Sequence, residues 1–165
     1  MHRLTALLFS IFFLAFASFS WAQETSVAFG SGQDNSEEPI EVTSENLAVD
    51  QEAGTALFTG EVIVGQGDLR LFAPRVLVIY STDQSEIERM EARGGVTLIS
   101  GDDEAEAQEA DYFVKDGNML LRNDVLMTQG PSAITSDNAT INVDDGTALM
   151  TGNVKSIFQS NNSNN

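Results

Sequence analysis

Cysteine is absent from this 165-residue sequence, and histidine occurs once, as His2. The chain therefore has no disulfide, no thiolate-bound metal and no cysteine nucleophile. Basic residues are also scarce, since 8 Lys and Arg stand against 25 Asp and Glu and the formal net charge is −17. Such a chain repels phosphate backbones, so no nucleic-acid partner is expected. We predict no catalytic residue, metal or cofactor; only a glycosidase using two carboxylates stays open on composition.

The first 22 residues have the layout of a secretory signal peptide. Arg3 provides a positive start, an apolar run extends from Leu4 to Phe19, and the small residues Ser20 and Ala22 precede a polar segment. We therefore expect export and cleavage after Ala22. The alternative is a retained membrane anchor, for which the run is shorter than the roughly 20 residues that span a bilayer.

The rest of the chain has a length typical of one domain. Residues 23–38 are rich in Gly, Ser and acids, which predicts a flexible acidic lead-in. Residues 39–158 are expected to form the folded domain, and the polar residues 159–165 a disordered tail.

Apolar and polar residues alternate with a period of two through the predicted domain, as in Leu47-Ala48-Val49-Asp50. Turn formers separate these segments, and pairs such as Asp116-Gly117 and Asp145-Gly146 are typical of hairpin tips. Asp102–Asp111, rich in Glu and Ala, is the one stretch that could be helical; we interpret it as a loop entering a strand. The pattern predicts an all-β, antiparallel fold.

The sequence also repeats itself. A small residue followed by two spaced apolar residues begins copies at Ser44, Ala73, Ala107 and Ser136, which are 29, 34 and 29 residues apart. A second mark, a Gly or small polar residue before a valine, occurs ahead of Val62, Val96, Val125 and Val154. Repeats of this length indicate stacked supersecondary units, each burying a face that it could not bury alone.

Three segments of the first repeat, PIEVTS at 39–44, FTGEVIVGQG at 58–67 and LRLFAPRVLV at 69–78, resemble the OstA-like family. The likeness continues more weakly to residues 152–154. It implies a repetitive, twisted β-jellyroll, slightly open along its length, whose interior shields the lipid A acyl chains of lipopolysaccharide. It also implies a periplasmic bridge of head-to-tail copies between an inner-membrane LptC-like protein and an outer-membrane LptD-like protein.

With Phe58 taken as inward, the alternation predicts one inward apolar row that would contact lipid. Its members are Ile40, Val42, Leu47, Val49, Phe58, Val76, Val78, Leu98, Tyr112, Val114, Ile141 and Val143. Burial of alkyl chain supplies about 0.8 kcal/mol per CH₂, so carriage of lipid needs no catalytic group. The alternative for each residue is ordinary core packing.

Edge strands of an open sheet can pair with another molecule. We expect partner contacts through a first strand, made of Ile40, Glu41, Val42 and Thr43, and through a last one, made of Asn153, Val154, Lys155, Ser156, Ile157 and Phe158. Pairing of the first strand with the upstream partner and of the last with the downstream one would give an open filament.

The acidic clusters have two readings. In a functional role, Glu104, Glu106 and Glu109 would organise divalent cations beside phosphorylated sugars or repel anionic headgroups from the outer wall. The alternative is a solvated, solubilising surface. Asp102–Glu104 and Asp144-Asp145 lack a calcium-loop pattern and are interpreted as turns. The arginines Arg70, Arg75, Arg89 and Arg93 are expected to pair with neighbouring Glu, although contact with lipid phosphates is the alternative.

Two other functions stay open at this point. A membrane-anchored LptC-like component of the same transport system follows if the N-terminal run is retained. A structural β protein of the envelope would share the repeats and the acidity but would bind no lipid.

Overall fold

Eleven β-strands and one short 3₁₀ helix form the regular structure of residues 25–30 and 38–159, which are the residues that this computed structural model describes. The strands are β1 (Thr25–Ala28), β2 (Glu41–Thr43), β3 (Asn46–Asp50), β4 (Thr55–Gln66), β5 (Leu69–Tyr80), β6 (Ile87–Ser100), β7 (Asp103–Phe113), β8 (Asn118–Gln129), β9 (Ser132–Asn142), β10 (Thr147–Thr151) and β11 (Lys155–Ile157). The 3₁₀ helix is Val114–Asp116. The prediction of an all-β fold is confirmed. No helix among the described residues is long and apolar enough to cross a membrane.

All strands belong to one antiparallel sheet in the order β1-β10-β9-β8-β7-β6-β5-β4-β2. From β4 to β10 each strand pairs with the next along the chain, as expected for alternating segments joined by tight turns. At each margin two short strands replace one long one. β2 and β3 pair with different halves of β4, and β10 and β11 pair with different halves of β9.

A line of β-bulges crosses the middle of the sheet. The pairing register shifts in each of the ladders from β4·β5 to β8·β9, for example between Thr59 and Val62. Pairs of residues with positive φ stand at this level in alternate strands: Gly60 and Glu61, Gly94 and Gly95, and Asn123 and Asp124. These pairs directly precede the recurring valines, so the second sequence mark encodes the bulge. Because a bulge bends its strand, the line divides every long strand into two halves.

The two halves of the sheet face each other across a single hydrophobic core. Val64 and Leu71 from one half line the same small enclosed cavity as Met90 and Met119 from the other. The opposite ends of each bent strand therefore come close together along a lengthwise opening, which we call the seam. This arrangement confirms the predicted β-jellyroll, open along its length.

One segment within the predicted flexible lead-in is part of the sheet. Thr25–Ala28 form β1 and pair with β10, and the adjacent Phe29 is only 2% exposed. The Gly and acidic residues of 30–38 obscured the alternating apolar residues Val27 and Phe29 that mark this strand. The predicted signal peptide and most of the predicted tail, from residue 160 on, lie outside the described residues.

Candidate functional site

Cross-strand neighbours place three apolar rows on the inner face of the sheet. The Val49 row contains Val49, Ala56, Val78, Met90, Tyr112, Met119, Ile141, Ala148 and Val27. The Leu47 row contains Leu47, Phe58, Val76, Ala92, Ala110, Leu121, Ala139 and Met150. On the other side of the bulge line, the Val42 row contains Val42, Val64, Leu71, Leu98, Ala105, Met127 and Ile134. The Val49 row crosses the sheet from β3 to β1, the Leu47 row ends at Met150 in β10, and the Val42 row ends at Ile134 in β9.

The residues predicted to face inward occupy three different environments. Val76, Val78, Leu98, Tyr112, Ile141 and Val143 are buried in the core. Ile40, Val42, Phe58 and Val114 are partly buried and pack against it. Leu47 and Val49 lie in the inner rows yet are 56% and 62% exposed, because β3 is a marginal strand and no described strand pairs beyond it.

The exposed end of these rows borders a groove at the β3 margin. A hollow of about 260 Å³ is lined by Leu47, Val49, Phe58 and Tyr80 among others. Farther in, side chains fill the interior, and the enclosed cavity lined by Tyr112 and Met119 measures only about 10 Å³. The apolar face is therefore accessible at its margin and closed at its centre.

A hydrogen bond joins the two sides of the seam. The Tyr112 hydroxyl donates to Gln66 Oε1 at 2.8 Å, and Gln66 Nε2 donates to the carbonyl of Glu38 at 3.2 Å. Burial, reinforced by the negative charge of Asp144, raises the pKa of Tyr112 to about 12, so the hydroxyl keeps its proton. A groove of about 430 Å³ runs beside this contact and is lined partly by Ile40, Ile87 and Val114.

A second contact at the seam uses one of the predicted turn acids. Asp103, 6% exposed, accepts hydrogen bonds from the backbone N–H of Gly30 at 2.7 Å and from Gln129 Nε2 at 3.0 Å. Its carboxylate thus ties the segment after β1 to the start of β7. Over the residues described, no group of three acidic or imidazole side chains is placed to hold a metal ion.

Charged side chains on the outer face form a ladder across β6, β7 and β8. Asp111, 8% exposed, forms an ion pair with Arg93, whose Nη1 lies 2.6 Å from Asp111 Oδ1, and accepts a hydrogen bond from Arg122 Nη2. Burial favours the neutral acid, but the positive charges of Arg122 and Arg93 outweigh it and lower the pKa of Asp111. Glu91 pairs with Arg89 at 2.7 Å. The expected pairing of arginines with acids is therefore present at Arg89 and Arg93, whereas Arg70 Nη1 donates to the backbone carbonyls of Gly67 and Leu69. The pairing of Arg122 with Asp111 was not predicted.

The edge segments named from the sequence lie at opposite margins of the sheet. β2 pairs only with β4 and β11 only with β9, so within the described residues each has a free outer edge. Ile157 and Phe158 are 51% and 71% exposed. The prediction omitted β3, which lies beside β2 at the same margin, and β1, which covers the outer edge of β10.

Several inner-face residues were absent from the predicted row. Val62, Val64, Leu71, Leu121 and Met119 are buried in the same core. Val62 and Val64 have the same parity as Phe58 along β4, so the alternation alone marks them as inward and the predicted row omitted them. In β5 the parity does change, from Leu71 to Val76, across the register shift between Phe72 and Arg75.

Comparisons with known proteins agree with this architecture. Residues 41–147, more than half of the chain, match the family described as LptA/(LptD N-terminal domain) LPS transport protein. An uncharacterized protein of Rhizobium meliloti (strain 1021) is 26% identical over 142 residues, which cover 81% of this chain and 76% of that protein.

A solved structure shares the fold at low sequence identity. The crystal structure of LptH from Pseudomonas aeruginosa, described as the LptA-homologous periplasmic component of the conserved lipopolysaccharide transport device, superposes with a TM-score of 0.70 at 16% identity. The match covers 77% of this chain and 99% of that structure. At this identity the likeness shows the jellyroll fold alone.

Proposed function

Because the chain belongs to the LptA/LptD N-terminal-domain family of lipopolysaccharide transport proteins, we propose that it binds lipopolysaccharide in the periplasm and carries it from the inner-membrane export complex to the outer-membrane translocon. The observation that carries this proposal is the set of continuous apolar rows on the inner face. They begin at exposed Leu47 and Val49 and cross the whole sheet. A lipid moving along the sheet would meet an apolar surface at every strand.

The chemistry of the rows suits acyl chains. Aliphatic side chains and methionines line them, and burial of alkyl chain contributes about 0.8 kcal/mol per CH₂. The sugars and phosphates would stay outside the seam, in water. Transfer needs no bond making or breaking by this subunit.

Acyl chains have to separate the two halves of the sheet before they can occupy the centre. The enclosed cavity of about 10 Å³ barely reaches the volume that one water molecule needs, so it has no room for an acyl chain. Parting the seam means breaking the contact of Tyr112 with Gln66 and reducing the packing between Val64 and Met119. We expect lipid to enter from the β3 groove and the seam, where the apolar face is already exposed.

The sheet margins provide the contacts for a bridge. An LptC-like inner-membrane protein would pair with Ile40–Thr43, and the segment from Asn153 to Phe158 would meet the next copy or an LptD-like outer-membrane protein. Such head-to-tail pairing uses different surfaces on the two sides and therefore extends into a filament. Among residues 25–30 and 38–159, no strand covers the outer edge of β2 or of β11, which supports this arrangement.

Photo-crosslinking to lipopolysaccharide tests the proposal. A photoreactive residue replaces Phe58 or Leu98 on the inner face, or the matched outward neighbours Thr59 and Thr97, in the purified chain 23–165. We expect crosslinks from the inner positions and at least tenfold fewer from the outer ones. Equal crosslinking from both faces, or none from a protein with the circular dichroism of a folded β-sheet, would refute lipid carriage in the interior. The size of the exported protein distinguishes cleavage after Ala22 from a retained anchor.

A further inference from the structure

The N-terminal strand lies where a second molecule would be expected to pair. β1 runs antiparallel to β10, with Val27 opposite Ala148 and Ser26 opposite Leu149. On the opposite margin, β3 runs antiparallel to β4, with Val49 opposite Ala56 and Ala48 opposite Leu57. Val27 and Val49 are the two end members of the Val49 row, linked strand by strand through the residue pairs of the sheet. β1 is therefore antiparallel to β10, as β3 is to β4, and Val27 occupies the same level of the sheet as Val49.

The two margins differ in how the row ends. Val49 is 62% exposed, whereas Ala148 is 1% exposed and Val27 packs against the core beside it. If a second copy placed its β3 against β10 in the same register, its Val49 would take the position of Val27. This continuation would bury an exposed valine and extend the apolar row into the next molecule.

Two contacts hold β1 in place. The Phe29 side chain is 2% exposed within the core cluster, and its N–H donates to the carbonyl of Gly146 at 2.8 Å. The N–H of Gly30 then donates a hydrogen bond of 2.7 Å to the buried carboxylate of Asp103. Gly30 has a φ of +77°, and a Cβ at this position would lie 2.3 Å from the hydroxyl oxygen of Ser100, so a larger residue does not fit. The segment 25–30 is therefore anchored by specific contacts at both the β10 edge and the seam.

From this correspondence we infer that residues 25–30 form a removable cap, and that β3 of a second copy of this chain displaces β1 from β10 during assembly. The margin beside β9 consists of the two short strands β10 and β11. While β1 is in place, only β11 has a free outer edge at this margin among the described residues, since β1 covers β10. When the cap leaves, the outer edges of both β10 and β11 are available for pairing. The cap thus limits self-association until a correctly registered partner strand competes for β10.

The absence of native cysteine allows a direct test with engineered disulfides. The paired, outward positions Ser26→Cys and Leu149→Cys would lock β1 onto β10, because opposed residues in an antiparallel ladder lie about 4.5–5.5 Å apart between Cα atoms, within disulfide range. The matched control, Ala48→Cys with Leu57→Cys, locks β3 onto its own β4 at the same level of the other margin and leaves the outer edges free.

Sedimentation of the chain 23–165 over a range of concentrations measures the association. We expect the oxidised cap lock to associate at least tenfold more weakly than its reduced form, and the control to associate equally in both states. Phe29→Ala is expected to increase association several-fold, because it weakens the anchor of β1. Val49→Asp, added to the reduced cap variant, is expected to abolish association, because it places a charge where β3 of the second copy would pair with β10. Equal association of the oxidised and reduced cap lock would overturn the cap, and association unaffected by Val49→Asp would overturn β3 as its competitor.

This inference deepens the proposed bridge and rests on it for its role in transport. The sedimentation experiment contains no lipid, so the two ideas fail separately. If lipopolysaccharide does not crosslink but the association of the cap lock depends on its redox state, the proposed function is contradicted and the cap is retained. If lipopolysaccharide crosslinks from the inner face but association is the same in both redox states, the cap alone is contradicted.

Discussion

The hydroxyl of Tyr112 in β7 donates a hydrogen bond of 2.8 Å to the side-chain carbonyl of Gln66 at the end of β4. Both side chains are buried, at 4% and 3% exposure, and they come from opposite sides of the seam. The bond therefore fastens the two halves of the jellyroll at the place where acyl chains would part them. Its removal should affect both the stability of the empty protein and the ease of loading.

Tyr112→Phe should destabilise the fold by about 1–3 kcal/mol, because it leaves the buried carbonyl of Gln66 without its donor. We expect a lower midpoint in urea with an unchanged slope. Tyr80→Phe is the matched control, since Tyr80 is only partly buried, and its midpoint should change little. If the seam opens for lipid, Tyr112→Phe should also raise the rate of lipopolysaccharide crosslinking at Leu98. A variant with the wild-type midpoint would show that this contact contributes nothing to closure.

Alkaline pH should weaken the fold through the same residue. The pKa of Tyr112 is raised from its ordinary value of 10.0 to about 12, so the folded protein holds this proton more tightly than the unfolded chain. Its stabilising contribution is present below pH 10 and is lost as the pH rises through about 12. The free energy of unfolding should fall over this window by at most about 3 kcal/mol, and Tyr112→Phe should remove that part of the dependence. Parallel curves for the two proteins would contradict the assignment.

Local patterns predicted the sheet, while contacts distant in sequence escaped prediction. The recurring Gly60-Glu61 and Asn123-Asp124 pairs before valine correspond to the bulges, and the alternation gave the strands. The bond from Tyr112 to Gln66 spans 46 residues, and nothing in either neighbourhood specifies its partner. β1 was missed because its four residues are too few for a periodic pattern to stand out in a polar segment.

The outer charge ladder makes a prediction at acidic pH. Because the pKa of Asp111 is lowered below 3.8, its interaction with Arg93 and Arg122 stabilises the protein above that pH and is lost as the pH falls through the folded value. Asp111→Asn should lower the free energy of unfolding at pH 7 by about 1–2 kcal/mol, since both arginines are partly exposed to solvent. The difference from wild type should shrink as the pH falls below 3.8.

Glu106→Gln is the matched control for that substitution, since Glu106 lies on the same strand and is exposed. Urea unfolding of the three proteins at pH 7 and at low pH measures the effect. Equal destabilisation by the two substitutions at pH 7 would attribute the loss to net charge instead of to the ion pairs of Asp111.

Identical leucine truncations should separate the core from the exposed end of the inner face. Leu98 is fully buried, so Leu98→Ala should cost about 2–5 kcal/mol of stability. Leu47 is 56% exposed, and Leu47→Ala should change the stability by no more than about 0.5 kcal/mol while reducing lipid crosslinking at Phe58, its neighbour in the groove. Thermal or urea unfolding and crosslinking yield provide the two readouts. Normal crosslinking with Leu47→Ala would remove the β3 groove as the site of entry.

The same pair shows the limit of sequence patterns for the candidate site. Alternation placed Leu47 and Leu98 on one face, and the structure agrees. Their exposure differs because it depends on how many strands lie beyond each one in the sheet, and β3 has none among the described residues. Parity along a strand predicts the face, whereas the position of the strand in the sheet determines accessibility.

The bulge line makes the last prediction, because it requires left-handed backbone at fixed places. Gly60 has a φ of +83°, and a Cβ there would lie 2.2 Å from a carboxylate oxygen of Glu45 and 2.9 Å from its Cβ. Gly60→Ala therefore adds both backbone strain and a steric clash at the corner between β2 and β3, and should destabilise the fold by about 1–3 kcal/mol.

The equivalent bulge in β8 gives the matched comparison. Asn123 already has a φ of +65° and is exposed. Asn123→Gly removes the strain of a non-glycine residue in that conformation, but it also raises the conformational entropy of the unfolded chain. Because these two effects oppose each other, the free energy of unfolding should stay within about 1 kcal/mol of wild type. Urea unfolding of both variants decides the matter. If Gly60→Ala were as stable as Asn123→Gly, the bulge would tolerate alanine at a position with positive φ. The recurring Gly or small polar residue before each valine would then not be explained by backbone conformation.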